Sequence, residues 1–275
     1  MERTNLTIED TEVFLSDIQF PFQDDMALEI AFDLMKERKP SIIWLGGDIA
    51  DNYSLASWTI SKEQANFGKE VDMVRQFFDR LRTTFPKARI YWQEGNHEAR
   101  IRNYILQKAV MLEPMLRASL SMDAIYHLPE YGIKYIIGPA KIGKLYHIHG
   151  HEKRSSSGQL VHVALSYVRW LNRNVIFGHW HVEQMFPIHE IDGSYKEAYA
   201  NPCLFDITKM PFGGYQGVDL NMRGLSFVTY AKSDYFHVEQ LKFVDTKKGY
   251  LVSSGRGLRE YSNGEKRPSK VFAVN

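Results

Sequence analysis

Asp17, Asp48, Asn96, His149, His179 and His181 share one context: each stands just behind a short apolar run. "VFLS" leads to Asp17, followed by Gln19 in "DIQ". "IIWLGG" leads to Asp48, with Asp51 behind it in "GGDIAD", and "IYWQEG" leads to Asn96 and His97. "LYHI" ends at His149, and "VIFG" ends at His179, with His181 following in "GHWH". Carboxylate, carboxamide and imidazole form a mixed oxygen–nitrogen donor set suited to Mn²⁺, Fe, Zn²⁺ or Mg²⁺, with no thiolate to select a softer metal. The donors suffice for a pair of cations with one carboxylate shared between them. Two ions roughly 3.5–4 Å apart can clamp a phosphoryl group and generate a hydroxide nucleophile.

Residues this scattered converge only if the elements beneath them do. "EVFLS" and "SIIWLGG" read as short strands. Between them Ala27, Ile30, Ala31 and Leu34 repeat at helical spacing, with Asp24 or Asp25 as a cap and Lys36, Arg38 and Lys39 before Pro40. Val71, Val74, Phe77, Phe78 and Leu81 mark a second helix, and "ARIYW" a strand after it. A third helix begins near Glu98. "KLYHI" is a strand, the stripe Leu160, Val163, Ala164, Tyr167, Val168 and Leu171 a helix, and "NVIF" a strand. This rhythm predicts helices on a largely parallel sheet, whose strand-end loops meet in one crevice. Two hairpins are expected later, in "QMFPIHEIDGSYKEAYA" with its turn at Asp192-Gly193 and in "LSFVTYAKSDYFHVEQLKFV". Both are expected in a second sheet packed on the first.

Each piece alone is weak. A strand-end aspartate is commonly a turn residue, and so is an asparagine after a glycine. His149 has His147 and His151 as neighbours, any of which could be a core or surface histidine. The strength lies in the ordered set "DIQ", "GDIAD", "GNHE", "IHGH" and "GHWH". It resembles the calcineurin-like metallophosphoesterase family over roughly Val13 to His181. "SDIQFPFQD", "GNHEAR" and "NPCLF" are most similar to versions common in phages and prophages.

The resemblance implies an α/β fold of two packed mixed β-sheets flanked by helices. It also implies one domain over 1–275, with a motif-bearing core at about 12–205 and C-terminal strands and a basic tail at 206–275. One metal would take Asp17, Asp48 and His181, with Gln19 as a further ligand. The other would take bridging Asp48, Asn96, His149 and His179. The cations would be divalent, Mn²⁺ foremost, with Fe, Zn²⁺, Mg²⁺ or Ni²⁺ as alternatives. His97 would be catalytic, stabilising the transition state or protonating the leaving oxygen; histidine as a residue type exchanges protons near neutral pH. The implied reaction is hydrolysis of phosphate esters, leaning to phosphodiesters of nucleic acids or nucleotides, by a metal-bridging hydroxide. The alternatives are a phosphomonoesterase acting on nucleotides or phosphoproteins and a catalytically weak binding scaffold.

Gln19 departs from the pattern, which has histidine there. An amide oxygen is neutral and harder than imidazole and binds borderline metals less well. The expectation is a weaker first metal, with Gln19 either coordinating or holding a water. Arg100 in "GNHEARIR" is either a fork donor to the substrate phosphate or a helix-surface arginine. Tyr53, Trp58 and Phe67 either stack on a base, which favours a nucleic-acid or nucleotide diester, or pack within their loop.

The 275 residues carry a formal net charge of +1, so no global basic field points to nucleic acid, although a local patch could grip a polyanion. Lys247, Lys248, Arg256, Arg259, Lys266, Arg267 and Lys270 make the tail mildly basic, either a solvated edge or an anion-attracting rim. Cys203 is the single cysteine, which excludes an internal disulfide and favours a reducing compartment. Acids stand where a signal peptide needs an apolar core, and no apolar stretch approaches the ~20 residues of a membrane span. A cytoplasmic protein is expected, in the host cytoplasm if phage-encoded, with no membrane partner.

Overall fold

The computed structural model describes residues 10–57, 65–153, 160–210, 220–232, 234–246, 248–254, 257–262 and 270–272. Strand β1 (Thr11–Leu15), helix α1 (Asp25–Arg38), β2 (Ile42–Leu45), α2 (Phe67–Thr84) and β3 (Arg89–Gln93) alternate as the apolar spacing predicts. Asp24 caps α1 by accepting from the Ala27 amide at 2.9 Å, and Lys39 closes it in the left-handed conformation. Asn66 caps α2 through the Lys69 amide. Helices α3 (Ala99–Lys108), α4 (Glu113–Leu116), α5 (Met122–Tyr126) and α6 (Leu128–Tyr131) fill the connection to β4 (Ile133–Ile136).

Next come β5 (Ala140–Ile142), β6 (Leu145–His147), α7 (Val163–Leu171), β7 (Asn174–Phe177), β8 (Gln184–His189) and β9 (Tyr195–Ala200). The chain continues through β10 (Arg223–Tyr230), β11 (Phe236–Thr246), β12 (Gly249–Ser254), β13 (Gly257–Ser262) and β14 (Lys270–Phe272). One sheet has 9 strands in the order β14-β13-β12-β11-β10-β1-β2-β3-β4; the other has 5, in the order β5-β6-β7-β9-β8. Strands β1 to β4 are mutually parallel, as are β6, β7 and β9, while β10 to β14 and the edges β5 and β8 add antiparallel pairs. Both sheets are therefore mixed.

Alternation along the strands sorts the core into layers. Val13, Leu15, Ile43, Leu45, Ile90 and Trp92 pack against α1, α2, α5 and α6. Phe14, Ile42 and Trp44, on the opposite face, meet Ile142, Leu145, Ile176 and Tyr199 of the second sheet. Val175, Phe177, Ala198 and Ala200 face α7. Removing a side chain such as Phe14 or Leu45 from water contributes roughly 1.5–3 kcal/mol each.

The hairpins divide between the sheets, which corrects the sequence expectation. β8 and β9 belong to the second sheet, but β10 and β11 extend the first, with β10 antiparallel beside β1. Leu225 and Phe227 face the helices there, while Val228 and Tyr230 face the second sheet. An apolar strand buried on both faces suits the centre of a large sheet.

In the tail, Arg259 is paired with Glu37 and Lys248 is exposed. Lys247, Arg256, Lys266 and Arg267 lie outside the described residues, as does the Lys270 side chain. No helix among the described residues is long and apolar enough to cross a membrane.

Candidate metal centre

Asp17, Asp48 and Asn96 follow the carboxyl ends of the neighbouring strands β1, β2 and β3 in the first sheet, and His149, His179 and His181 follow those of β6 and β7 in the second. The β1 and β2 loops stay zipped beyond their strands, with Asp17 N donating to Gly47 O (3.0 Å) and Gln19 N to Asp48 O (2.9 Å). Asp17 (φ 55°), Gln19 (55°), Asp48 (52°), His179 (68°) and His181 (55°) are all left-handed. Such backbones cost roughly 1–3 kcal/mol each and gather where a site demands a particular side-chain direction. Close approach also needs glycine at two places. A Cβ on Gly95 would lie 2.2 Å from Asp48 Oδ1, and one on Gly178 would lie 2.4 Å from Asp17 Oδ2.

Donor atoms of Asp48, His149 and His179 all lie within 4.8 Å of one another. His149 Nε2 is 3.1 Å from Asp48 Oδ2 and 3.2 Å from Asn96 Oδ1, while its Nδ1 faces Gly46 O at 2.8 Å. With Nδ1–H donated to that carbonyl, a neutral imidazole points its Nε2 lone pair at two oxygen acceptors. Such a cluster needs positive charge at its centre, a proton on Nε2 in the metal-free protein or a cation in its place, so these residues fit a cation. Burial alone would lower the His149 pKa, but the Asp48 and Asp17 charges outweigh it and push it up to about 10. Burial followed by the His149 charge brings His179 down to about 4. Burial tends to raise Asp48, yet His149 and His97 beside it hold it well below the usual carboxylate range.

The Asp17 side is built alike. His181 Nε2 lies 3.3 Å from Asp17 Oδ1, and its Nδ1 lies 2.8 Å from Asn221 Oδ1. Burial disfavours the charged forms of both partners, but their proximity prevails: the Asp17 pKa is lowered and the His181 pKa raised. The His179 backbone N–H donates to Asp17 Oδ2 at 2.9 Å, tying the two sheets together at the site. Gln19 is buried, with Nε2 3.2 Å from His181 Nε2. A half-turn of its terminal amide would set the oxygen in the same place as a donor to a cation.

His97 stands beside these donors. Its backbone N–H donates to Asp48 Oδ1 (2.9 Å), its Nε2 lies 3.6 Å from Asp48 Oδ2, and its Nδ1 lies 3.0 Å from Asp51 Oδ2. Arg100 is not a helix-surface arginine: it is buried at 9% exposure and donates to Asp51 O (2.6 Å) and Asp51 Oδ1 (2.8 Å). That side of α3 lies against the loop carrying Asp51. Glu98, buried at 1%, accepts from the amides of Asp48 (2.8 Å), Ile49 (2.8 Å), Ala50 (3.2 Å) and Gly95 (2.8 Å) and so locks the β2 and β3 loops together.

Sequence reasoning gave no role to Asp51, Glu98 or Asn221. The first two stood in plain view inside "GDIAD" and "GNHE"; nothing around Asn221 marks it as the partner of His181. The loop aromatics pack inward: Tyr53 is 1% exposed and meets Phe22 edge-on, and Phe67 lies against the main core. Trp58 lies outside the described residues.

No family model and no curated protein matches the chain. Among solved structures it is similar to Vacuolar Protein Sorting 29 from Cryptosporidium parvum, at 13% identity and TM-score 0.45, over 94% of this chain and 100% of that one. It is similar to the nuclease MPE of Pseudomonas putida at 13% identity and TM-score 0.38, over 78% of this chain and 83% of that one. Its similarity to the E. coli phosphoesterase Yfce has 15% identity and TM-score 0.33, over 96% of this chain and 100% of that one. Likenesses this loose leave the chemistry to the site's own geometry.

Proposed function

We propose that the chain is a phosphoester hydrolase of calcineurin-like architecture that holds two divalent cations. The observation that supports this best is the convergence of aspartate, asparagine and histidine donors from both sheets. Asp17, Asp48 and His181, with Gln19, would hold one cation; Asp48, Asn96, His149 and His179 would hold the other. When bound, such a pair polarises phosphoryl oxygens and activates water for attack.

The chain's own residues supply the rest. Gly46 O and Asn221 fix the rings of His149 and His181, so that each presents Nε2 inward. Asp51, gripped by Arg100, faces Nδ1 of His97, which leaves Nε2 on the Asp48 side of the ring. From there a protonated His97 can stabilise charge developing on the phosphoryl group or give its proton to the departing oxygen.

The lean toward a nucleic-acid diester loses the support of Tyr53, which is buried, and of Phe67, which rests partly buried on the main core, so the proposed substrate class is a phosphate ester. Protein loaded with Mn²⁺, Zn²⁺ or Mg²⁺, its metal content measured, should hydrolyse bis(p-nitrophenyl) phosphate or p-nitrophenyl phosphate. The ratio of the two rates assigns diester or monoester. Verified metal with no turnover of either ester would favour the scaffold reading.

A further inference from the structure

Behind the Gly95–His97 loop, between α3, the α4–α5 segment and β4, lies a cavity of about 490 Å³. That is within the roughly 300–1,000 Å³ usual for small-molecule sites. Ile101, Ile105, Leu120, Met122, Tyr135 and Ile137 give it apolar walls. Asp123 at its rim is exposed, and the other charged side chains at its edge are held by ion pairs or backbone amides. Arg102 forks onto Glu94 at 2.9 and 3.0 Å, and Arg117 onto Glu113 at 2.8 and 2.9 Å. Tyr135 Oη donates to Glu94 at 3.2 Å. Neither guanidinium presents an open fork to an anion. The Glu98 carboxylate, also in the wall, is taken up by backbone amides. What the cavity offers is apolar surface and room for a two-ring body.

Its position makes it more than a void. Glu94 immediately precedes Gly95 and Glu98 immediately follows His97, so wall residues bracket the loop that carries Asn96 and His97. Glu98 also holds the backbone of Asp48. We propose that the cavity binds a neutral, predominantly apolar small molecule, and that its occupancy stiffens the Gly95–His97 loop. A resulting change in turnover rests on the proposed phosphoesterase reading; the binding and the stiffening do not.

The full chain is titrated calorimetrically with probes sharing one apolar body: 2-naphthylmethanol, 2-naphthylmethylammonium and 2-naphthoate. The alcohol should bind saturably, and the ammonium and the carboxylate about tenfold more weakly or worse, because either would bury an unpaired charge. Leu120→Trp, which fills the cavity, should abolish binding. Ile137→Lys, at a position 68% exposed and so harmless to folding, should weaken it by placing a charge on the wall. Saturating alcohol should slow amide hydrogen exchange across Gly95–His97. Absence of saturable binding, preference for either charged probe, or binding indifferent to both variants would overturn the site, and unchanged exchange at saturation would overturn the stiffening. If exchange slows while no ester is turned over under any metal, the phosphoesterase reading fails and the pocket stands.

Discussion

Asp51 Oδ2 lies 3.0 Å from Nδ1 of His97, and the other oxygen of the same carboxylate receives Arg100 at 2.8 Å. The pair sits beside the proposed metal ligands without belonging to them. The two atoms are close but not aligned as a hydrogen bond, so Asp51 acts on the ring through its charge, with Nδ1 toward buried Asp51 and Nε2 toward Asp48.

Asp51→Asn should therefore lower turnover about 10–10²-fold, the size usual for losing a supporting partner. His97→Ala should lower it about 10²–10⁴-fold, with both metals retained. Because the two act as a unit, the double variant should be no slower than His97→Ala alone. Rates paired with metal analysis decide this. Losses that multiply, or that track loss of metal, would show the pair to be structural.

Asp48 faces both halves of the donor set, so Asp48→Asn should weaken both cations and nearly abolish hydrolysis. Equilibrium dialysis followed by elemental analysis gives the metal stoichiometry. Retention of two tight cations at full activity would remove Asp48 from the shared position.

Gln19 tests the weaker half. Gln19→His should raise occupancy of the Asp17 cation after dialysis and reduce the stimulation by added Mn²⁺. Gln19→Ala should lower occupancy if the amide oxygen coordinates. Equal metal content and equal Mn²⁺ dependence in wild type and both variants would place Gln19 outside the coordination shell.

The charges at His149 set a pH dependence. Its pKa in the metal-free protein, pushed up to about 10, means that it carries a proton at neutral pH. Cation binding needs the bare Nε2, so that proton must leave, and binding tightens as pH rises, by about tenfold per pH unit for one released proton. Calorimetry in buffers of differing ionisation enthalpy should show proton release at pH 7. Affinity that is flat between pH 6 and 8 would contradict it.

Much of the site was legible because its rule is local: a polar donor behind an apolar run marks the end of a parallel strand. That rule reached Asp17, Asp48, Asn96, His149, His179 and His181 without knowledge of any partner. It could not place β10 and β11, because the alternation in "RGLSFVTY" shows that both faces are covered but not by what. The surface reading of Arg100 failed for a related reason. One helical position does not reveal the loop that lies against it, and here that loop carries Asp51. The partnership of His181 with Asn221 spans a similar distance in the chain and leaves no local trace.

The left-handed backbone at Asp17, Gln19, Asp48, His179 and His181 bears on how such a protein can drift. That conformation admits glycine readily, asparagine, aspartate and histidine less so, and β-branched residues hardly at all. Mutation at these positions is therefore filtered first by backbone shape, before any demand for catalysis. Several of the residues that pass the filter carry an oxygen or nitrogen lone pair, so a lineage released from its reaction would still tend to keep metal-competent side chains. Exchanges such as histidine for glutamine at position 19 would then retune cation affinity far more readily than they would erase the centre.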